Sequence, residues 1–293
     1  MEENLVSVVV PSYNYENYIV ECLESIRNQE YKKIELVIID DCSKDSSKEL
    51  IRNFIYSDRI KERFWNVVYI EHDENKGAHY TINEGIEKSQ GDYIAVINAD
   101  DLYEKDRFTK MIPKMKKENA IIAFSNIEII NGDSKLAKGI EADNFRGIQK
   151  SIKESEVVSY ALMHQNVAIS TGNMVFTKEL YYKLKGFREY KYIHDWDFIL
   201  RASLIKEPLY IDDTKYYYRL HEDNSFRELG DIADQEVNEV LNNFFSQIRI
   251  NNVNNTNLSK KLVYNKVENT YLKRYWFRIG IISRITNILR GGK

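Results

Sequence analysis

Cysteine, proline and glycine are all scarce in this sequence. Its 293 residues include two cysteines, three prolines and 12 glycines. Cys22 and Cys42 lack the paired spacing of a zinc site, and two free thiols are typical of a protein in a reducing cytoplasm. No segment has the composition of a flexible or polyproline linker. The sequence therefore predicts a cytoplasmic protein without a linker region.

Long apolar runs and a strong charge imbalance are missing as well. No window approaches the roughly 18 uncharged apolar residues of a membrane-spanning helix. The first apolar run has no basic residues before it and ends at Pro11, unlike a signal peptide. The 42 basic and 45 acidic side chains give a net charge of −3. This balance argues against a nucleic-acid partner bound through overall charge, so an anionic ligand needs a local site.

Apolar residues make up 43% of the chain, enough for a sizeable core in one large domain or two modest ones. In the first half, short runs rich in β-branched residues alternate with segments of helical periodicity. This alternation indicates βαβ units and a mostly parallel, doubly wound sheet. The predicted strands are residues 5–10, 34–39, 67–70 and 93–97, the first closed by Pro11, and the predicted helices lie within residues 18–26, 43–55 and 78–89.

The regular alternation fades after about residue 120. We expect this half of the chain to shape the pocket of a second substrate. Its predicted elements are short strands at residues 121–124, 127–130, 168–170 and 174–176, a helix at 231–250, a polar break at 251–257 and a helical tail from residue 258.

Polar side chains follow each predicted strand of the first half. Ligands of parallel sheets bind at the carboxyl ends of the strands. Several acidic groups at one edge repel one another unless a positive group lies among them, so we expect a divalent cation there. The polar groups are Tyr13 and Asn14, Asp40 and Asp41, residues 71–77, and residues 98–101.

The segments VSVVVPSYNYENYIVECLESIRNQ, IELVIIDDCSKDSS and NKGAHYTINEGIEKSQGDYIAVINADD follow one another along the chain. Together they resemble the nucleotide-sugar domain of family 2 glycosyltransferases of the GT-A fold, over roughly residues 5–225. The resemblance implies an α/β nucleotide-sugar-binding fold with a mostly parallel central sheet. It also implies a GT-A domain at residues 1–225, with a donor half at about 1–118 and an acceptor half at about 119–225, followed by a helical region at 226–293.

The resemblance places the nucleotide at the ends of the first two strands. Asp41 is the expected base contact, because a carboxylate accepts the imide N–H of uracil or thymine; capping of the loop and next helix is the alternative for Asp40 and Asp41. Ile82 stands where many members have an arginine. Phosphate charge is then offset mainly by the metal, with Lys76, His79 or Arg219 as further candidates. The implied donor-site residues so far are Pro11, Tyr13, Asn14, Asp40, Asp41, Lys76, Gly77, His79, Asn83 and Arg219.

The metal motif of the family, Asp-x-Asp, falls on residues 98–101 of this chain. The first acid is Asn98, which brings no charge. The resemblance therefore implies Asp100 as the ligand of Mn²⁺ or Mg²⁺, with Ala99 beside the donor and Asp101 positioning the loop or the sugar. His221 is the second implied ligand, and a satisfied surface histidine is its alternative.

Residues 194–197, His-Asp-Trp-Asp, resemble the family's Glu-Asp-x-Asp stretch in the acceptor half. The match implies that Asp195 is the general base, because inverting transfer needs a carboxylate that takes the proton of the acceptor hydroxyl. Alternatively, Asp195 and Asp197 are acids that interact with the dipole of a helix N-terminus. The residues implied on the acceptor side are Gly172, Asn173, His194 and Trp196.

The resemblance implies an inverting, metal-dependent transferase of the hexosyltransferase type. It moves a sugar from a nucleotide-sugar, with UDP expected, to a hydroxyl of a glycan or lipid-linked acceptor in surface polysaccharide synthesis. A binding module with weakened catalysis, suggested by Asn98 and Ile82, is one alternative. A sugar nucleotidyltransferase is another, although its basic glycine-rich signature is missing near the first strand. Dinucleotide-binding and phosphate-loop motifs are missing too.

The last residues, 273–293, form a basic segment with no acid after Glu268. As a helix, the segment places several apolar side chains on one face. It either lies on an anionic membrane, which predicts a peripheral position on the inner face of the plasma membrane, or packs on the catalytic domain or a second subunit. Oligomeric state stays open.

Overall fold

A computed structural model describes residues 3–57, 60, 62–222, 224 and 231–266 of the chain. The predicted basic helix at residues 273–293 lies outside the described residues and stays a prediction. The described strands are β1 (Val6–Ser12), β2 (Ile34–Asp40), β3 (Asn66–Glu71), β4 (Tyr93–Val96), β5 (Leu102–Tyr103), β6 (Ile122–Ile130), β7 (Met174–Thr177) and β8 (Leu209–Arg219). The described α-helices are α1 (Ile19–Arg27), α2 (Ser47–Ile55), α3 (Ala78–Lys88), α4 (Arg107–Lys117), α5 (Ile140–Glu154), α6 (Val158–Leu162), α7 (Lys178–Leu184), α8 (His194–Ile205), α9 (Asp231–Arg249) and α10 (Lys260–Lys266).

Within the described residues, one eight-stranded sheet has the order β3-β2-β1-β4-β7-β6-β8-β5. Strands β3, β2, β1 and β4 are parallel neighbours, and β6 is parallel to β8. The short strands β7 and β5 pair antiparallel with their neighbours. The sheet is mostly parallel, as the alternation of strands and helices predicts.

Both faces of the sheet are buried. On β2, Val37 and Ile39 pack in one hydrophobic cluster with residues of α3, α8 and α9. Leu36 and Ile38 point to the opposite cluster, which includes residues of α1, α2 and α4. A strand covered on both faces has no polar side to expose, so residues 36–39 of β2 are apolar in succession instead of alternating with polar residues.

Strand β1 continues through Pro11 to Ser12, so the prediction that Pro11 closes the strand is wrong. Pro11 pairs with Ile39 of β2, while pairing with β4 ends at Val9. The Val9 carbonyl accepts a hydrogen bond from the Ile97 N–H at 2.9 Å, so Val9 faces the side of β4. Pro11, two residues farther along the strand, faces the same side, at a point where the pairing with β4 has already ended. A missing N–H costs no ladder bond at that position.

Two strand predictions in the second half also differ from the structure. Residues 168–170 form a turn, because the Asn166 side-chain oxygen accepts from the Ala168 and Ile169 N–H groups, both at 3.2 Å, and Ile169 has φ +73°. The segments 121–124 and 127–130 belong to the single strand β6. A register shift against β8 after Ser125 accommodates the polar residues in its middle.

The C-terminal part of the described chain is helical, as predicted. Helix α9 buries Phe245 and Ile248 in the same cluster as Phe198 of α8, and Leu258 and Val263 join this cluster farther along. None of the described helices is long and apolar enough to cross a bilayer. The domain boundary near residue 225 stays a prediction.

Candidate active site

The loop after β4 carries the acidic pair of the candidate metal site. Asp100 is 5% exposed, and its Oδ2 lies 2.8 Å from His221 Nε2, just beyond the end of β8. Its Oδ1 is buried and has no hydrogen-bond partner among the described residues. A carboxylate with an unused oxygen beside an imidazole is a suitable pair of ligands for Mn²⁺ or Mg²⁺. The described part of the chain holds no cluster of three or more such ligands, so substrate or water oxygens would have to supply the other ligands of a cation held here.

Asp101 has a different task from Asp100. It is fully buried; its Oδ1 accepts from the Arg219 N–H at 2.8 Å, and its Oδ2 accepts from the Tyr216 hydroxyl and from Asn98 Nδ2. Burial raises the pKa of Asp101 well above its usual value, and the neighbouring Asp100 raises it further. Asp101 therefore anchors the loop to β8, which is one of its two predicted roles.

Arg219 does not have the predicted role of a phosphate contact. The side chain is fully buried, and all three guanidinium nitrogens donate to protein atoms. Its Nε donates to the Asp100 carbonyl at 2.6 Å, its Nη1 to Ser134 Oγ at 2.8 Å, and its Nη2 to Glu21 Oε2 at 2.8 Å. The Tyr18 ring covers it at 4.8 Å. Arg219 supports the backbone of Asp100, and the sequence could not reveal these distant partners.

At the nucleotide side, Asp40 and Asp41 differ in the acceptors that they leave unused. Both Asp41 oxygens are occupied, Oδ1 by the Lys76 N–H and Oδ2 by the Gly77 N–H, each at 2.8 Å. Asp40 uses Oδ1 for the Ser43 N–H, while its Oδ2 is buried without a partner among the described residues. Burial raises the pKa of Asp40. The unused acceptor belongs to Asp40 and not to Asp41, the residue that the sequence analysis favours.

The other donor-side residues fall into two groups. Tyr13, Asn14 and Lys76 are exposed, His79 and Gly77 are partly exposed, and Pro11 and Ala99 lie beside them at the strand ends. Asn83 differs, because its amide both donates to the Phe187 carbonyl and accepts from the Phe187 N–H, at 2.9 Å each. This pairing makes Asn83 a brace for the loop after α7 and not a donor contact.

Helix α8 brings the predicted base to its first turn. Asp195 Oδ1 accepts from the Trp196 N–H at 2.6 Å, and Oδ2 accepts from Asn166 Nδ2 at 2.8 Å. Burial raises the pKa of Asp195. By contrast, Asp197 is buried between Arg201, whose Nε lies 2.7 Å from Oδ2, and Arg188, whose Nη1 lies 3.2 Å from Oδ1. The two arginines neutralise Asp197, which leaves Asp195 as the available carboxylate.

Three residues predicted on the acceptor side are part of the core. Asn173 is fully buried and bonds to Ser125 and Ala168. Trp196 donates its ring N–H to the Leu162 carbonyl at 2.9 Å. Gly172 is buried against the Tyr216 side chain, which fills the space that a Cβ would need. The structure therefore gives these three residues packing roles, in place of the predicted contacts with the acceptor.

His194 connects the two halves of the site. Its Nε2 lies 3.1 Å from Thr171 Oγ1, and its Nδ1 is buried without a partner among the described residues. The preceding Ser170 accepts from Asn98 Nδ2 at 3.0 Å. The turn at residues 170–173 thus joins the metal loop to the beginning of α8, where Asp195 lies.

Tyr218 lies on β8 directly before Arg219, whose N–H donates to Asp101, and the sequence does not single it out. Burial raises the pKa of its hydroxyl well above the usual value, and the charges of Asp101, Asp100 and Asp195 raise it further. The sequence signal is the spacing, because residues two apart on a strand share one face, and in the structure Tyr216 of that face donates to Asp101.

A separate cavity of about 650 Å³ lies between α7, α8 and α9. Its lining includes Arg188, Asp197 and Arg201 but not Asp100, Asp195 or His221. The Asp197 ion pairs therefore belong to this cavity, on a different side of α8 from the candidate base.

The sequence matches the family model Glycosyl transferase family 2 over residues 7–184. A putative teichuronic acid biosynthesis glycosyltransferase, TuaG of Bacillus subtilis, is 31% identical over 54% of this chain and 61% of its own length. WfgD of Escherichia coli, named a UDP-Glc:alpha-D-GlcNAc-diphosphoundecaprenol beta-1,3-glucosyltransferase, is 28% identical over 71% of this chain and 72% of its own length. The chain spans less than two thirds of TuaG, of Streptococcus pneumoniae GlyA and of Bacillus subtilis EpsH, at 61%, 31% and 62%.

Solved structures share the fold at low sequence identity. Staphylococcus aureus TarS 1–349 in complex with UDP-GlcNAc superposes with a TM-score of 0.64 and 16% identity, over 97% of this chain and 79% of that chain. The mannosyltransferase PcManGT of Pyrobaculum calidifontis, in complex with GDP-Man and Mn²⁺, gives a TM-score of 0.63 and 15% identity, over 99% and 74%. These likenesses confirm the predicted GT-A fold.

Proposed function

The chain belongs to glycosyl transferase family 2, and from this premise we propose that it is an inverting, metal-dependent glycosyltransferase of surface polysaccharide synthesis. The donor is a UDP-sugar, and the acceptor is a hydroxyl of a glycan or of a lipid-linked sugar. The observation that carries the proposal is Asp100, whose one carboxylate oxygen lies against His221 while the other is buried without a partner in the described part of the chain.

Three relatives support the finer points of the proposal. TarS is crystallised with UDP-GlcNAc, WfgD is named for a UDP-Glc donor and a diphosphoundecaprenol-linked acceptor, and TuaG is named for teichuronic acid biosynthesis. We place the protein in the cytoplasm, because Cys22 and Cys42 are both free thiols, which suits a reducing compartment.

Asp195 provides the base in the proposed mechanism. It takes the proton of the acceptor hydroxyl while that oxygen attacks the anomeric carbon of the donor. The bond from the anomeric carbon to the diphosphate breaks, which gives the inverted glycoside, UDP and a protonated Asp195. The raised pKa of Asp195 makes it a stronger base than an exposed aspartate, and the Trp196 and Asn166 donors hold its carboxylate in one orientation.

The donor is held at the carboxyl ends of the parallel strands in the proposed mechanism. Asp40 Oδ2, which is buried without a partner among the described residues, is the carboxylate oxygen that we assign to the imide N–H of uracil. Asp100 and His221 are the residues that would hold Mn²⁺ or Mg²⁺. When bound, the cation supplies positive charge that stabilises the diphosphate leaving group, so a general acid is not required. Asp101 and Arg219 keep the metal loop in place.

Calorimetric titration with UDP tests the metal assignment. We expect binding with Mn²⁺ to weaken at least about tenfold on chelation or in Asp100→Asn, because chelation removes the cation that contacts the diphosphate and Asp100→Asn removes a charged ligand of that cation. Asp143→Asn is the matched control, since Asp143 is a 72% exposed acid on α5. Equal UDP affinity with and without divalent ions contradicts the metal assignment.

A nucleotide-sugar-binding module without catalysis is the second candidate, suggested by the uncharged Asn98. Incubation with a UDP-sugar and candidate acceptors separates the two functions. The enzyme releases UDP with acceptor-dependent kinetics, whereas a binding module retains the intact donor. A sugar nucleotidyltransferase instead releases pyrophosphate from a nucleoside triphosphate and a sugar phosphate.

A further inference from the structure

His72 bridges two carboxylates next to the nucleotide side of the site. The residue is 5% exposed, and its backbone N–H donates to the Asp40 carbonyl at 2.8 Å, which fixes it at the end of β3. Its Nδ1 lies 2.7 Å from Asp41 Oδ1, and its Nε2 lies 2.7 Å from Glu84 Oε2. Asp41 follows β2 and Glu84 lies on α3, so one imidazole ring ties the sheet edge to the helix.

The loop between His72 and α3 is built around Asp41. The Lys76 and Gly77 N–H groups donate to the Asp41 carboxylate, and Asn75 Nδ2 donates to its carbonyl at 3.3 Å. Gly77 has φ +87°, a conformation that favours glycine, and leads directly into α3. The orientation of the Asp41 carboxylate therefore sets the position of residues 75–77.

Tyr80 and the Lys76 side chain connect the outer side of this loop to His72. The Tyr80 ring lies edge-on to His72, with ring centroids 5.9 Å apart. The Lys76 ammonium lies 4.7 Å over the Tyr80 ring. His72 is thus linked to Lys76 in two ways, through Asp41 to the Lys76 backbone and through Tyr80 to the Lys76 side chain.

We propose that Asp41, His72 and Glu84 form a positioning relay that holds the loop at residues 73–77 in the conformation that binds the UDP part of the donor. The inference rests on the proposed function. None of the three acts on the reacting atoms: Glu84 orients the imidazole, the imidazole orients Asp41, and Asp41 gathers the loop amides. A hydrogen bond to a charged group is stronger than a neutral one, so loss of the His72–Asp41 contact releases the loop more than loss of a surface contact does.

Two substitutions at His72 separate the two halves of the relay. The side-chain nitrogen of asparagine lies near the position of imidazole Nδ1, and that of glutamine lies near Nε2. His72→Asn therefore keeps a donor for Asp41 and loses Glu84, whereas His72→Gln keeps Glu84 and loses Asp41. Each variant loses one 2.7 Å contact, so their thermal stabilities should be similar.

We expect the UDP dissociation constant, measured by calorimetry with Mn²⁺, to rise about tenfold or more in His72→Gln, the effect of losing one hydrogen bond to a charged group. It should stay within about threefold of wild type in His72→Asn. Hydrogen–deuterium exchange at residues 73–77 should accelerate in His72→Gln and stay slow in His72→Asn. Both variants at His164, a histidine of the acceptor half, serve as controls.

Equal UDP affinities in the two His72 variants overturn the relay's role in donor binding, as does faster loop exchange without any change in affinity. Equal exchange rates overturn the claim that His72 holds the loop. If wild-type protein fails to bind UDP, the proposed function fails, and the exchange rates still decide whether the relay positions the loop.

Discussion

Replacing Asp195 by asparagine tests the assignment of the base with almost no change of shape. The wild-type carboxylate accepts from the Trp196 N–H and from Asn166 Nδ2. Asn166 cannot turn its amide round, because its oxygen already accepts from the Ala168 and Ile169 N–H groups. The new amide nitrogen therefore faces a donor on one side, and Asp195→Asn loses one hydrogen bond as well as the base.

The two losses differ in size. The missing base lowers kcat by about 10² to 10⁴, equivalent to about 3–5 kcal/mol in the activation barrier. The missing hydrogen bond lowers the free energy of unfolding by about 1 kcal/mol. Relief of the buried charge offsets part of that cost, because burial raises the pKa of Asp195 and so disfavours its ionised form. The variant should stay folded and bind UDP as wild type does.

The pH dependence follows from the same raised pKa. Between pH 3.8 and the raised value, the folded protein holds a proton on Asp195 that the unfolded chain has released. Stability from this group is therefore lost as pH rises through that window. Asp195 is ionised, and can act as a base, only above its raised pKa. The acid limb of the kcat/KM profile therefore lies above pH 3.8 in wild type and disappears in Asp195→Asn.

The assay measures UDP release with acceptor across pH, alongside thermal unfolding and UDP titration. Asp197→Asn is the matched control on the same turn of α8. It breaks the ion pairs with Arg201 and Arg188, so its stability should fall by about 3 kcal/mol, with kcat of the folded protein nearly unchanged. If Asp195→Asn keeps near-wild-type turnover while Asp197→Asn does not, the base has to be reassigned to Asp197.

Two backbone predictions concern stability. Lys185 is exposed and follows α7 with φ +58°, so Lys185→Gly should raise the free energy of unfolding by about 1 kcal/mol in chemical denaturation. The same change at Lys183, inside the helix, should lower it, and a loss at Lys185 contradicts the strain argument. Gly172→Ala should lower the melting temperature, because the new Cβ collides with the Tyr216 side chain, whereas Gly147→Ala on α5 meets open space and should be neutral or stabilising. Equal melting temperatures for these two variants contradict the packing argument.

The sequence predicts the donor half well because its signals are local. Buried parallel strands such as β2 carry successive apolar residues, here residues 36–39, and chain topology alone places Asp40 and Asp100 at the same edge of the sheet. The sequence wrongly predicts a strand at residues 168–170, because the residue types of this turn are ones that also occur in strands. Its conformation depends on the Asn166 side chain and on a positive φ at Ile169, neither of which shows in a hydrophobic pattern.

Roles of polar residues are less predictable, because a side chain's remaining hydrogen-bonding capacity depends on distant partners. Arg219 looks like a phosphate ligand from its motif, but its donors are used by Glu21 and Ser134, far away in the sequence. Asp40 and Asp41 are adjacent acids, and only the fold shows which one keeps an oxygen without a partner in the described structure. The sequence predicts which residue types lie at the site, but it does not predict which role each residue has.

Asn98 illustrates how a departure from the family pattern can preserve a site. A carboxylate at this position would face the fully buried Asp101, whose ionisation is already disfavoured by burial and by the charge of Asp100. The Asn98 amide instead donates to Asp101 Oδ2 and to Ser170 Oγ, both at 3.0 Å. It removes one repulsion and links the metal loop to the turn before α8. The uncharged Asn98 therefore leaves Asp100 its histidine partner and an oxygen that no described residue occupies, so Asn98 is weak support for a catalytically inactive binding module.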